Sequence, residues 1–163
     1  MSAASATTQQ LLSSTNSFFN ALSNNTSPIT LLSYFSTTRL VSLQHAPATC
    51  PHPHTSRLTG LNAIRSYFDL LATHWTRTDM RIHSAQVDSS AKQVVVAASV
   101  TWMWKKSRKS FTEDFTCTLQ FDDNQKIVDF LVCTNSGPGT CVMRAVDAEP
   151  QTSLTKTAVQ VNM

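Results

Sequence analysis

His45 and Glu113 are the side chains in this sequence that join acid–base capacity to a place on an apolar strand face. From Arg39 to His45 the chain alternates, with Leu40, Ser42 and Gln44 on one side and Val41, Leu43 and His45 on the other. From 110 to 121 it alternates again. Phe111, Glu113, Phe115, Cys117, Leu119 and Phe121 share a face, and Thr112, Asp114, Thr116, Thr118 and Gln120 fall between them. Period two means a strand with one buried and one wet face. A neutral imidazole near a pocket mouth can give or take a proton close to neutrality. A carboxyl group flanked by phenylalanines loses solvation, which raises its pKa and poises it for proton transfer. Each residue also has a simpler reading. His45 could end a strand by bonding to a loop, and Glu113 could sit at an open strand end beside a Lys or Arg. Asp114 points outward and is solvated.

Other reactive sets are weaker. Cys50-Pro51-His52-Pro53-His54 lies close to His45 and is rich in good zinc ligands. Its Cys-x-His-x-His spacing is not a standard ligand pattern, and alternating prolines favour an extended rod that points successive side chains apart. We read the segment as a lid over a pocket, and expect no metal. Tyr34, Tyr67 and Trp102 could donate hydrogen bonds into a pocket, although aromatic residues on such elements also simply pack. Trp75 reads as core, and His74 at a helix C-terminus is favoured by the dipole when charged. Trp102 to Lys109 mixes aromatics with cations, which suits single-stranded nucleic acid. A charged hairpin tip that discourages edge pairing explains it as well.

Composition excludes several classes. Only three glycines occur, so no Gly-rich phosphate cradle can form. No Ser-His-Asp order or nucleophile elbow is recognisable. The four cysteines form no Cys-x-x-Cys pair, which argues against a zinc knuckle and for buried, reduced thiols. A net charge of +3 is mild for a nucleic-acid binder, so nucleic acid is not expected as a partner. No secretory signal and no apolar run of about 20 residues is seen, and a cytoplasmic location is expected.

The elements that would position His45 and Glu113 follow from the same patterns. Residues 1–8 are small and polar and read as a disordered N-terminus. A helix over 9–22 carries Leu11, Leu12, Phe18, Phe19 and Leu22, and a second over 28–36 starts at Ser27-Pro28. The strand ending at His45 follows, then a loop over 46–59. A helix over 61–76 has the stripe Ile64, Tyr67, Phe68, Leu71 and Trp75. Strands over 80–88, 92–104, 110–121 and 127–133 complete a meander. Asp122-Asp123-Asn124-Gln125 supplies the last turn. Residues 137–163 read as an irregular tail with a short clasp around 141–146. Helices followed by consecutive antiparallel strands make an α+β domain over 9–136, with helices on one face of a curved sheet.

On these residues the chain resembles the NTF2-like superfamily, in particular its SnoaL-like, steroid-isomerase-like and polyketide-cyclase-like branch. The resemblance rests on Phe18-Phe19-Asn20-Ala21-Leu22, on 31–35, on 58–68 and on 119–128. The third stretch is similar to that family's G-x-x-A-I-x-x-F helix start. The fourth is similar to its F-x-x-D-G-K-I hairpin, with Gln125 where Gly is usual. The resemblance implies a cone with an apolar pocket. It also implies catalytic positions that this chain does not keep. Phe18 stands where relatives have a phenol donor, Leu43 where they have a general-base Asp, and Cys117 where they have a protonated Asp. Asn135 stands where cyclase-like relatives often have an acid. Steroid-isomerase chemistry in its usual form is therefore not expected.

The resulting expectation is a cofactor-independent enzyme for a small apolar carbonyl compound, working by isomerisation, cyclisation or dehydration. Glu113 or His45 would be the base. Tyr34, Tyr67 and Asn135 would orient the substrate, with Phe18, Leu43, Phe115 and Cys117 around it. The alternative is a non-catalytic ligand-binding or adaptor module, and pairing of two copies through the sheet is expected in either case.

Overall fold

The computed structural model describes residues 3–48 and 57–145. Helix α1 spans Ala3–Ser23 and α2 spans Pro28–Leu32. Strands β1 (Ser42–Pro47) and β2 (Arg57–Thr59) precede helix α3 (Leu61–His74). Strands β3 (Trp75–Asp88), β4 (Gln93–Trp104), β5 (Ser110–Phe121) and β6 (Ile127–Thr134) follow. The six strands form one sheet in the order β2-β1-β6-β5-β4-β3. All neighbours are antiparallel except β1 and β6, which run parallel and bring His45 opposite Val132. The meander β3–β6 and the α+β architecture are as the sequence implies.

Several boundaries differ from the sequence reading. Residues 3–8 belong to α1 and are not a separate N-terminal segment. Helix α2 stops at Leu32 because Ile127 captures the backbone that follows, Ser36 donating to its carbonyl and its own amide donating to Tyr34. The first strand starts at Ser42 rather than Arg39. Strand β2 is too short to show a period, and lies within the stretch read as loop; it pairs antiparallel with β1. Strand β3 begins at Trp75 rather than Met80. Its alternation is broken by register shifts near Thr78 and Ile82, and by a left-handed Asp79.

The core sits between the helices and the concave face of the sheet. Helix α3 buries Ile64, Tyr67, Phe68 and Leu71. The sheet answers with Val94, Val96, Ala98, Val100 and Trp102 from β4, and with Glu113, Phe115, Cys117, Leu119 and Phe121 from β5. Phe18 is fully buried and packs against Phe19, Tyr34, Phe35 and Phe130. Burying one such ring stabilises the fold by about 1.5–3 kcal/mol. After β6, two short 3-10 turns, Pro138–Thr140 and Val142–Arg144, fold back and bury Cys141 and Val142. This is the clasp; Val146 and the rest of the tail lie outside the described residues. Among the described residues no helix is long and apolar enough to cross a membrane.

Candidate active site

Glu113 enters the core because β5 keeps strict alternation, and its parity is that of Phe111 and Phe115. It is fully buried. An isolated carboxylate there would be costly, so it must be paired and hydrogen-bonded. Three strands supply the partners. His45 Nε2 lies 2.7 Å from Glu113 Oε2, Thr134 Oγ1 donates to the same oxygen at 2.5 Å, and Trp102 Nε1 donates to Oε1 at 2.8 Å. Register explains the convergence. Val100 faces Glu113 across β4 and β5, which sets Trp102 one diagonal step away; His45 comes from β1 beyond β6.

His45 is itself buried and holds a second partner. Its Nδ1 lies 2.7 Å from the Tyr67 hydroxyl of α3. Cys141, delivered by the clasp, also hydrogen-bonds to the imidazole. The result is a continuous chain, Glu113–His45–Tyr67, running from the sheet to the helix.

Electrostatics follow from these contacts. Burial works to lower the His45 pKa, but its neighbours Tyr67, Cys141 and Glu113 outweigh it and hold the value well above 6.5. Burial would raise Glu113, but His45, Thr134 and Trp102 together hold it below 4.5. This corrects the expectation that burial leaves Glu113 with a raised pKa. It is an ionised, fully occupied carboxylate that carries and orients the imidazolium. Burial raises the Tyr67 phenol above 10.0 despite His45, so it stays protonated. Against the upward push of burial, bonds to His45 and Thr134 hold the Cys141 thiol below 9.0.

The His45–Tyr67 pair faces a narrow, half-open cleft whose enclosed part is about 20 Å³, with about 350 Å³ of space when the open solvent at its mouth is included. Phe19, Phe68, Trp102, Phe115 and Phe130 give it an apolar wall, and Arg77 and Met80 of β3 lie on it. Behind the pair a second hollow is lined by Leu43, Leu58 and Met143.

Of the residues singled out from sequence, His45, Glu113, Tyr67 and Phe115 meet at the cavity. The others do not. Phe18 is packing within the aromatic cluster. Leu43 faces the second hollow. Tyr34 lies away from the cavity, its hydroxyl 3.3 Å from Ser17 Oγ. Cys117 is fully buried without reaching the cavity, and burial raises its thiol pKa well above 9.0. Asn135 is exposed and donates to Thr116 Oγ1 at 2.8 Å on the outer face, because its parity is opposite to that of Thr134. Trp102 is buried, so it cannot serve as a nucleic-acid stacking platform. Cys50, His52 and His54 lie outside the described residues.

Thr134, Cys141 and Arg77 were not singled out. Thr134 could have been found by extending the alternation of β6 one residue beyond 133. Cys141 carries no local signal of its bond to His45. Arg77 falls between the helix and the strand as read from sequence. His45, Glu113 and Cys141 also form the one group of potential metal donors among the described residues, with ligand atoms within 4.8 Å of one another. The imidazole nitrogens are already bonded to Glu113 and Tyr67, and the carboxylate to His45, Thr134 and Trp102.

No family profile matches this sequence, and no curated protein matches it. Solved structures do match. The pinacolase BvnE from Penicillium brevicompactum superposes with a TM-score of 0.67 at 15% identity, over 90% of this chain and 94% of that one. SalBIII, an epoxide hydrolase/cyclase-like enzyme of pyran ring formation in the polyether salinomycin, gives 0.65 at 14%, over 80% and 94%. An NTF2-like protein from Exiguobacterium sp. 255-15 gives 0.60 at 13%, over 76% and 99%. Identity this low speaks for architecture alone. With its helices packed on a curved mixed sheet around an apolar cavity, the chain has the NTF2-like fold.

Proposed function

We propose that this protein is a small acid–base enzyme that isomerises, cyclises or dehydrates a compact apolar carbonyl compound. The observation that carries this reading is His45 suspended between the Glu113 carboxylate and the Tyr67 hydroxyl at an aromatic-lined cavity. As an imidazolium, His45 donates through Nε2 to Glu113 and through Nδ1 to the Tyr67 oxygen. The phenolic proton of Tyr67 is then free to donate to a carbonyl oxygen in the cavity. Such a donor, backed by a cation and fixed before reaction, polarises the carbonyl oxygen and can protonate it. When Tyr67 passes its proton to the substrate, Nδ1 replaces it, and the neutral imidazole can later take a proton back by the same route. Glu113 keeps its charge throughout and acts as a positioning residue.

The fold relatives named a pinacolase and a cyclase-like enzyme are in keeping with rearrangement chemistry in such a cavity. To test the reading, the protein is incubated in D2O with a panel of enolisable ketones, allylic alcohols and epoxides, and followed by NMR and mass spectrometry. Conversion of a panel member, lowered about 100-fold or more in Tyr67→Phe and His45→Asn, is expected. Conversion that survives both substitutions would sink the assignment. Tight binding with no conversion of any compound would favour the ligand-binding alternative.

A further inference from the structure

Arg77 is the buried Lys or Arg of the described residues, with 8% of its surface exposed. The Arg residues that do form ion pairs, Arg57, Arg65 and Arg81, are surface residues beside Asp partners. Among the described residues the Arg77 guanidinium has no carboxylate partner, and its nitrogens are not sealed in the core but keep a small opening to solvent. Its contact is with the face of Trp102, 4.9 Å from guanidinium carbon to ring centroid. Buried charges are as a rule paired, because an uncompensated cation in a low-dielectric interior is strongly disfavoured. A cation–π contact compensates only a part of this.

The position is built. Asn25 grips the Arg77 backbone from both sides, its Oδ1 accepting from the amide at 2.8 Å and its Nδ2 donating to the carbonyl at 3.0 Å. The side chain lies on the cavity wall with Tyr67 and Trp102, and its charge acts on the Tyr67 hydroxyl. The one carboxylate on the cavity, Glu113, is taken up by His45, Thr134 and Trp102, so none of it is left for Arg77, and an anionic ligand group would be the partner that the guanidinium lacks.

We propose that Arg77 is a ligand-recognition residue, and that the cavity takes compact apolar molecules carrying a carboxylate. The planar fork of the guanidinium matches a carboxylate in shape as well as charge. The aromatic wall receives the rest of the molecule. This names the substrate class for the site proposed above and rests on that reading.

The test compares phenylacetate and 2-naphthoate with their primary amides by calorimetry and ligand-observed NMR, on the wild type, Arg77→Gln and Glu113→Gln. Each acid should bind the wild type about tenfold more tightly than its amide, or better. In Arg77→Gln the ratio should fall to about one, and in Glu113→Gln the acid preference should persist. Equal binding of acids and amides by the wild type, or a preference that survives in Arg77→Gln, overturns the inference. Because the readout is binding, acid preference without turnover would refute the acid–base reading alone. Turnover of neutral compounds without acid preference would refute this inference alone. Thermal melting of Arg77→Met is the control for folding. A midpoint at or above wild type is expected, since a cation without a partner is removed. A fall of more than about 5 °C would make Arg77 a packing residue and overturn the inference.

Discussion

Strand β5 carries a buried acid near its start and is followed by another in the turn that ends it, and the two are satisfied in opposite ways. Asp122, at the turn, is 4% exposed, and Glu113, nearer the start of the strand in the core, is 0% exposed. Asp122 Oδ1 accepts the amides of Asn124 and Lys126 at 2.8 and 3.0 Å, within its own turn. Ser36 adds a side-chain bond, and these contacts hold its pKa below 3.8 against burial. Glu113 accepts no backbone amide. All its bonds come from side chains on three other strands. An acid capped by its own backbone closes a turn. An acid held by convergent side chains beside a cavity fixes the proton-carrying group next to it.

The sharpest way to break this comparison is to remove both acids in turn. Glu113→Ala leaves His45, Trp102 and Thr134 buried without an acceptor, and should destabilise the protein by about 3–5 kcal/mol. Asp122→Ala leaves two turn amides that water can reach, and should cost about 1–3 kcal/mol. Urea unfolding of both variants measures the gap; equal losses would mean that Glu113 is no more demanding than a turn cap. The Asp122 variant should bind cavity ligands as the wild type does.

The two acids also predict different responses to pH. His45 has a raised folded-state pKa, so its contribution is complete below 6.5 and is lost as pH rises through the folded value. Glu113 has a depressed one, so its contribution is complete above 4.5 and is lost as pH falls through the folded value. Stability from this pair is therefore greatest between these two limits. His45→Gln should flatten the alkaline decline in the urea midpoint, and Asp122→Asn should leave it in place.

The smallest effect sharpens the local half of the comparison. Gln125 holds φ at +56°, a left-handed conformation that disfavours side chains with a Cβ. Gln125→Gly should stabilise the turn by about 0.5–1 kcal/mol, raising the melting midpoint by roughly 1–3 °C. No change would mean that Asp122 already fixes the turn completely.

Much of the fold was legible because its signals are local. The stripe from Ile64 to Leu71 marks α3, the alternation from 110 to 121 marks β5, and Asp122 to Gln125 marks the turn between β5 and β6. The inward parity of His45 and Glu113 was legible for the same reason. Two cases were not. Trp75 continues the helical stripe of α3 but begins β3, because tertiary pairing with Trp104 overrides a period that both elements can share. Phe18 and Asn135 occupy positions that are functional in the resembling family, and here they pack and face outward.

By itself, the sequence determined which residues turn inward, since alternation and helical period follow from backbone geometry that each segment carries alone. Only the tertiary structure decided which inward residues meet. His45 reaches Glu113 across 68 positions of sequence and Tyr67 across 22. Those contacts depend on β1 lying parallel to β6 and on α3 crossing the sheet, which no single segment encodes. The same convergence reversed the pKa of Glu113. Burial alone, readable from parity, raises it, whereas three donors that arrive only on folding hold it down.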